Sequence, residues 1–181
     1  STSYSAILFY GADRNIVEES YIQSVGEYGL TFVVGADYNT VSRSTMLAAG
    51  ANDYGLYASS SDSNTVTSCY IQNLTGDAVH LNTGADRNII EQSTVVANSA
   101  SYSAVWFYEA SSNTIRGSYV HNALGHAVNL DVASNHNTII QKAYDDLSGS
   151  FDYHEGGFGS APKFPRPTSL NLLMRIHRLL A

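Results

Sequence analysis

Along most of the chain, aliphatic residues recur in short alternating runs rather than at helical spacing. Val17, Val41, Val66, Ile90, Ile115 and Ile139 each stand two residues after an asparagine, and Ile22, Met46, Ile71, Val95, Val120 and Tyr144 stand seven after the same asparagines. Those asparagines, Asn15, Asn39, Asn64, Asn88, Asn113 and Asn137, are 24, 25, 24, 25 and 24 residues apart. Between the two aliphatic columns lies a small one: Ser20, Ser44, Cys69, Ser93 and Ser118, with Lys142 as the exception. Apolar positions spaced in twos put alternate side chains on one face, which predicts strands.

A second strand is predicted later in each unit, where a Gly or Ala precedes apolar residues: Leu30, Leu56 with Ala58, Val79 with Leu81, Val105 with Phe107, and Val128 with Leu130. Ile7 and Phe9 fit the same slot. No window up to about residue 147 is long enough for an amphipathic helix. A period of this length built only from strands predicts a solenoid whose units bury their apolar faces by stacking.

Alternate units are more alike than neighbours. Those beginning at Asn15, Asn64 and Asn113 share Tyr21, Tyr70 and Tyr119, and then Gly26, Gly76 and Gly125. Those beginning at Asn39 and Asn88 share a Ser-Thr pair and an Ala-rich turn. The pattern reads as a 49-residue, two-rung module copied in tandem, and six rungs at strand spacing would stack to roughly 29 Å.

From about residue 5 to 147 this pattern resembles the right-handed parallel β-helix family, the pectate-lyase-like superfamily with recurrent β-helix repeats. The asparagine column with its following aliphatic is the most specific part of the likeness. The resemblance implies an all-β fold: a single-stranded right-handed parallel β-helix of about six 24/25-residue rungs over residues 1–147. Handedness comes from the family and from the general rule for parallel crossovers. Asparagine suits such a column because it tolerates a left-handed turn and its amides can bond to copies stacked above and below. The resemblance also implies a class of activity, since this fold often holds polysaccharide lyases, hydrolases and epimerases.

Composition narrows the partners. Hydrophobic residues are 44% of the 181 and charged ones only 14%, with 13 tyrosines, a neutral-polar balance suited to a secreted or cell-surface protein facing glycans. Residues 1–160 hold five Lys/Arg against sixteen acids, a balance of −11, while 161–181 hold four bases and no acid. An acidic body argues against nucleic acid, which needs a continuous basic patch. A lone cysteine, Cys69, forms no internal disulfide, and no apolar run reaches the roughly 18 residues of a transmembrane helix.

Candidate chemistry gathers on the outward positions of the strand after the small residue. One column runs Tyr28, Tyr54, Asp77, Ser103, His126, the next Thr31, Tyr57, His80, Trp106, Asn129, and the third Val33, Ser59, Asn82, Tyr108, Asp131. Tyr57, His80, Trp106, Tyr108, His126, Asn129 and Asp131 form the candidate ligand-binding patch, because ring faces stack on sugars while polar groups bond hydroxyls. Asp77 with His80, or His126 with Asp131, are the weak catalytic candidates, each a possible base with its orienter. Asp77 and Asp131 are expected nearly 20 Å apart, beyond the about 5 to 9.5 Å of a glycosidase pair. No loop insertion walls a groove, so catalysis stays undecided; if present, a polysaccharide lyase or glycoside hydrolase is the class.

Asp13, Asp37, Asp62 and Asp86 form a column two residues before the asparagines. They either cap turns while splaying into solvent or hold a cation such as Ca2+; no other cofactor is expected. Asn73-Leu74-Thr75 is a glycosylation sequon, and Cys69 reads as a small buried side chain. Beyond the repeat, 148–168 is a Gly/Pro-rich connector and 169–181 an amphipathic, helix-like segment that caps the last rung or docks on a neighbour. With the first rung open at its start, end-to-end homo-oligomers or filaments are a second expectation. The leading reading is an extracellular structural solenoid, a surface, fibre or adhesive scaffold; the alternative is a polysaccharide-binding or polysaccharide-processing β-helix.

Overall fold

In the computed structural model of the protein, residues 4–141 are described. The expectations for 148–168 and 169–181, and those for Lys142 and Tyr144, lie outside the described residues. The strands are β1 (Ile7–Tyr10), β2 (Ile16–Glu18), β3 (Tyr21–Gln23), β4 (Leu30–Val33), β5 (Thr40–Ser42), β6 (Thr45–Ala48), β7 (Leu56–Ser59) and β8 (Thr65–Thr67). They continue as β9 (Tyr70–Asn73), β10 (Val79–Asn82), β11 (Ile89–Glu91), β12 (Thr94–Ala97), β13 (Val105–Tyr108), β14 (Thr114–Asn122), β15 (Val128–Asp131) and β16 (Thr138–Gln141).

Each strand pairs with its equivalent in the next rung, always parallel. Three sheets result. Sheet A is β1-β4-β7-β10-β13-β15, sheet B stacks β2, β5, β8, β11 and the start of β14, and sheet C stacks β3, β6, β9, β12 and the end of β14. The fold is thus the predicted all-β parallel solenoid of about six rungs.

Every aliphatic column named from the sequence faces inward. Val41, Val66, Ile90 and Ile115 fill the sheet B side, Ile22, Met46, Ile71 and Val95 the sheet C side, and Leu30, Leu56, Val79 and Val105 the sheet A side, all buried. The inner column Phe9, Phe32, Ala58, Leu81, Phe107 has one small member, Ala58. An apolar void beside Phe32, Leu56, Ala58 and Leu81 marks the gap it leaves.

The register also explains why spacings alternate. From sheet C to sheet A the chain takes seven steps in one rung, Gln23 to Leu30, and nine in the next, Leu47 to Leu56. From sheet A to the ladder asparagine it takes six steps, Val33 to Asn39, and then five, Ser59 to Asn64. Two residues longer at one corner and one shorter at the other leaves the single residue separating 24 from 25, so the two-rung module is a property of the corners.

One expectation needs correction. The left-handed conformation at the first corner belongs to the residue before each asparagine, with φ near 58° at Arg14, Tyr38, Ser63 and Arg87, 61° at Ser112 and 57° at His136. A second left-handed column precedes the small residues, at Glu19, Arg43, Ser68, Gln92 and Gly117. Four of these corner positions, Arg14, Glu19, Arg43 and Arg87, carry charged side chains that point to solvent, where a non-glycine left-handed residue costs of order 1 kcal/mol, and the ladders beside them hold the turn.

Candidate functional site

The asparagine column is a hydrogen-bond ladder of a particular kind. The backbone N–H of each asparagine donates to Oδ1 of the one in the next rung, from Asn15 to Asn39 (2.9 Å), Asn39 to Asn64 (2.8 Å), Asn64 to Asn88 (2.9 Å), Asn88 to Asn113 (2.8 Å) and Asn113 to Asn137 (2.8 Å). Amide-to-amide bonds occur from Asn15 to Asn39 (3.1 Å) and Asn39 to Asn64 (3.0 Å). Farther on, Asn64, Asn88 and Asn137 turn their Nδ2 to the carbonyls of Ala36, Ser61 and Ala110.

The acidic column is a second ladder running the other way. Asp13 Oδ1 accepts the N–H of Asp37 (2.9 Å), Asp37 that of Asp62 (2.7 Å), Asp62 that of Asp86 (2.9 Å), and Asp86 that of Ser111 (2.7 Å). Arg87 pairs with the free oxygen of Asp62. Charge-assisted bonds of this sort offset the repulsion of stacked carboxylates. Among the described residues no group of three or more His, Cys, Asp or Glu is placed to hold a metal ion.

The small column is a third ladder, which its size alone did not announce. Ser44 Oγ accepts the N–H of Ser20 (3.0 Å), Ser93 that of Cys69 (3.1 Å) and Ser118 that of Ser93 (3.1 Å). Cys69 is buried, its Sγ–H donating to Thr67 O at 3.2 Å, and burial pushes its thiol pKa up.

At the corner between sheets C and A, two further asparagines were missed as structural residues. Asn73 Nδ2 donates to Gly50 O (2.9 Å) and Asp53 O (2.6 Å), while its Oδ1 accepts the N–H groups of Thr75 (2.9 Å) and Gly76 (3.0 Å). Asn122 repeats this with Ser99 O (2.9 Å) and Tyr102 O (2.7 Å). Their 49-residue separation was the available signal. Asn73 is fully buried, so the sequon is no accessible acceptor in the folded chain. Gly76 and Gly125 sit against these amides, where a Cβ would come within 2.8 and 2.5 Å of neighbouring atoms; Gly26 has open space and is not their equivalent.

Sheet A carries the candidate patch, and the predicted columns hold. Thr31, Tyr57, His80, Trp106 and Asn129 are level across β4, β7, β10, β13 and β15, and Tyr108 is level with Asp131. The rings engage one another. His80 stacks on Trp106 at 4.2 Å and meets the rings of Tyr54 and Tyr57 edge-on at 4.7 and 5.5 Å. Tyr54 contacts Tyr28 at 4.9 Å and stacks on Tyr57 at 5.3 Å, and Tyr108 lies edge-on to Trp106 at 5.8 Å. Asn82 Nδ2 donates to the Tyr57 hydroxyl at 2.8 Å.

Within this cluster polar atoms are buried without partners. His80 is 4% exposed with neither ring nitrogen bonded, Asp77 is 2% exposed with Oδ2 unbonded, and Trp106 Nε1 also lacks an acceptor. Asp77 Oδ1 takes the N–H of Ser103 at 2.6 Å. Burial pushes the Asp77 carboxyl up to about 6 and lowers His80 to about 4, so the imidazole is neutral at pH 7. Burial likewise raises the Tyr54 phenol. No hydrogen bond joins Asp77 to His80. His126 and Asp131 are exposed, and Asp131 Oδ1 caps its own turn through the N–H of Val132 at 2.8 Å. The structure therefore unites Tyr57, His80, Trp106 and Tyr108 in one ring cluster, adds Tyr28 and Tyr54 to it, and leaves His126, Asn129 and Asp131 beside it on the next rung. A base held by an orienter is absent from both candidate pairs.

No helix among the described residues is long and apolar enough to cross a membrane. No curated protein and no solved structure matches the chain. Residues 1–103, more than half of the sequence, match the family model described as a right handed beta helix region. With its register, ladders and parallel rungs, the chain belongs to the right-handed β-helix family.

Proposed function

We propose that this chain is a structural β-solenoid module that works outside the cell as a scaffold rather than as a catalyst. One observation carries the reading: among the described residues no connection between consecutive strands exceeds seven residues, as in 49–55 and 98–104. Corners this short, locked by side-chain ladders, raise no wall of their own beside the described sheets, whereas a catalytic site needs an enclosed place that orients a substrate and excludes water. The neutral, tyrosine-rich surface supports an extracellular setting. Incubating the whole chain with acidic and neutral polysaccharides, and following reducing ends and unsaturated products, is expected to show no turnover above a heat-denatured sample. Turnover that disappears in Asp77→Asn or His80→Gln would overturn the reading.

A further inference from the structure

Sheet C has an outer face unlike that of sheet A. Its first outward column runs Tyr21, Thr45, Tyr70, Thr94, Tyr119, and its second Gln23, Leu47, Gln72, Val96, His121. Neither column contains an Asp, Glu, Lys or Arg. The three tyrosines are 68%, 36% and 54% exposed, so their rings are open to solvent. Each is tied to the residue two further along its own strand: Tyr21 donates to Gln23 Oε1 at 3.1 Å, the Tyr70 hydroxyl accepts from Gln72 Nε2 at 2.7 Å, and Tyr119 stacks on His121 at 5.7 Å. Holding the rings in advance lowers the ordering cost of binding. Because tyrosine occupies every second rung, the three rings repeat at about 9.6 Å along the stack, with the Thr45 and Thr94 hydroxyls between them.

We propose that this face is a binding track for an uncharged, extended β-1,4-linked polysaccharide lying along the stacking direction. Such a chain turns the same ring face outward at every second sugar, so its period of two sugars matches the two-rung period of the tyrosines. Apolar sugar faces stack on aromatic rings while hydroxyls bond Thr and Gln side chains. The body is strongly acidic, which disfavours a polyuronate, and the track itself is neutral. The site is separate from the ring cluster on sheet A and independent of the scaffold reading.

The test measures depletion of the whole chain from solution by microcrystalline cellulose and by chitin, with polygalacturonate as the acidic control. Saturable retention on one or both neutral polymers is expected, and the pair distinguishes glucose from N-acetylglucosamine chains. The triple variant Tyr21→Ser, Tyr70→Ser, Tyr119→Ser should lower retention by roughly tenfold or more and each single variant by roughly threefold. Tyr10→Ser, at a tyrosine on sheet A as exposed as Tyr21, should leave it unchanged. Far-UV circular dichroism and melting curves establish that each variant is folded, and the single variants decide the matter if the triple is not. No retention on either polymer, retention only on polygalacturonate, retention indifferent to the tyrosines, or an effect of the tyrosines on self-association alone would each overturn the proposal.

Discussion

At the corner around Asn64, polar groups enter the interior and are answered there. Its Oδ1 accepts from both the backbone N–H and the side-chain amide of Asn39, and its own Nδ2 finds Ala36 O. On the outer face of sheet A, Asp77, His80 and Trp106 also bury polar atoms, and Asp77 Oδ2, both His80 nitrogens and Trp106 Nε1 go unanswered. The difference follows from repetition. A residue that recurs in one slot meets its own copy at strand spacing, so each ladder N–H finds a side-chain oxygen in the next rung, and in the asparagine column only Asn113 Nδ2 is buried unanswered among the described residues. Asp77 and His80 occur once in their columns, between Tyr54 and Ser103 and between Tyr57 and Trp106, and carry their desolvation uncompensated.

The largest way to break this contrast is Asn64→Ala. It strands the buried N–H of Asn39 and carbonyl of Ala36, so stability should fall by about 4 kcal/mol in urea unfolding. Asn15→Ala, at an exposed position that only donates, should cost less than about 1 kcal/mol.

Acid titration of His80 comes next. Its folded pKa is about 4 against 6.5 ordinarily, so the unfolded chain takes up the proton first. This group therefore loses stability as pH falls from 6.5 to 4, by about 3 kcal/mol in all, and the loss levels off below. His80→Gln should remove that slope in unfolding curves measured at successive pH values.

Asp77 has the opposite sign. With a folded pKa of about 6 against 3.8 ordinarily, the folded chain is protonated first, so the cost of burying the charge is full above pH 6 and fades toward 3.8. Asp77→Asn should stabilise the protein by about 2 kcal/mol at pH 8 and leave it unchanged near the lower limit. Between pH 6 and 4 the two slopes oppose each other, and each single variant should expose the other.

The smallest change is Cys69→Ser. Serine at this slot offers Ser44 a better acceptor, as Ser93 does for Cys69, while giving up sulfur packing. The midpoint of unfolding should move by less than about 1 kcal/mol.

The repeat, the inward columns, the strand direction and the two-rung module were legible because stacking imposes one residue type on each slot. The left-handed positions were not, because Arg14, Tyr38, Ser63, Arg87, Ser112 and His136 share a backbone conformation and no side chain. Asn73 and Asn122 hid inside turns, and Asn73 wore the pattern of a sequon. On sheet A the columns placed Tyr57, His80 and Trp106 together, but alternation tells direction rather than depth. An outward His80 proved buried, because Tyr54, Tyr57 and Trp106 close around it.

The central claim is that the polar columns hold the rungs together as continuous ladders. Native-state hydrogen exchange on the backbone amides of Asn39, Asn64 and Asn88 tests it most directly, since each donates to a side chain in the adjoining rung rather than to a strand. The account predicts protection equal to that of the neighbouring strand amides in β8 and β11, lost together with them only in global unfolding. Exchange of these three amides at the rate of exposed corner positions would contradict it.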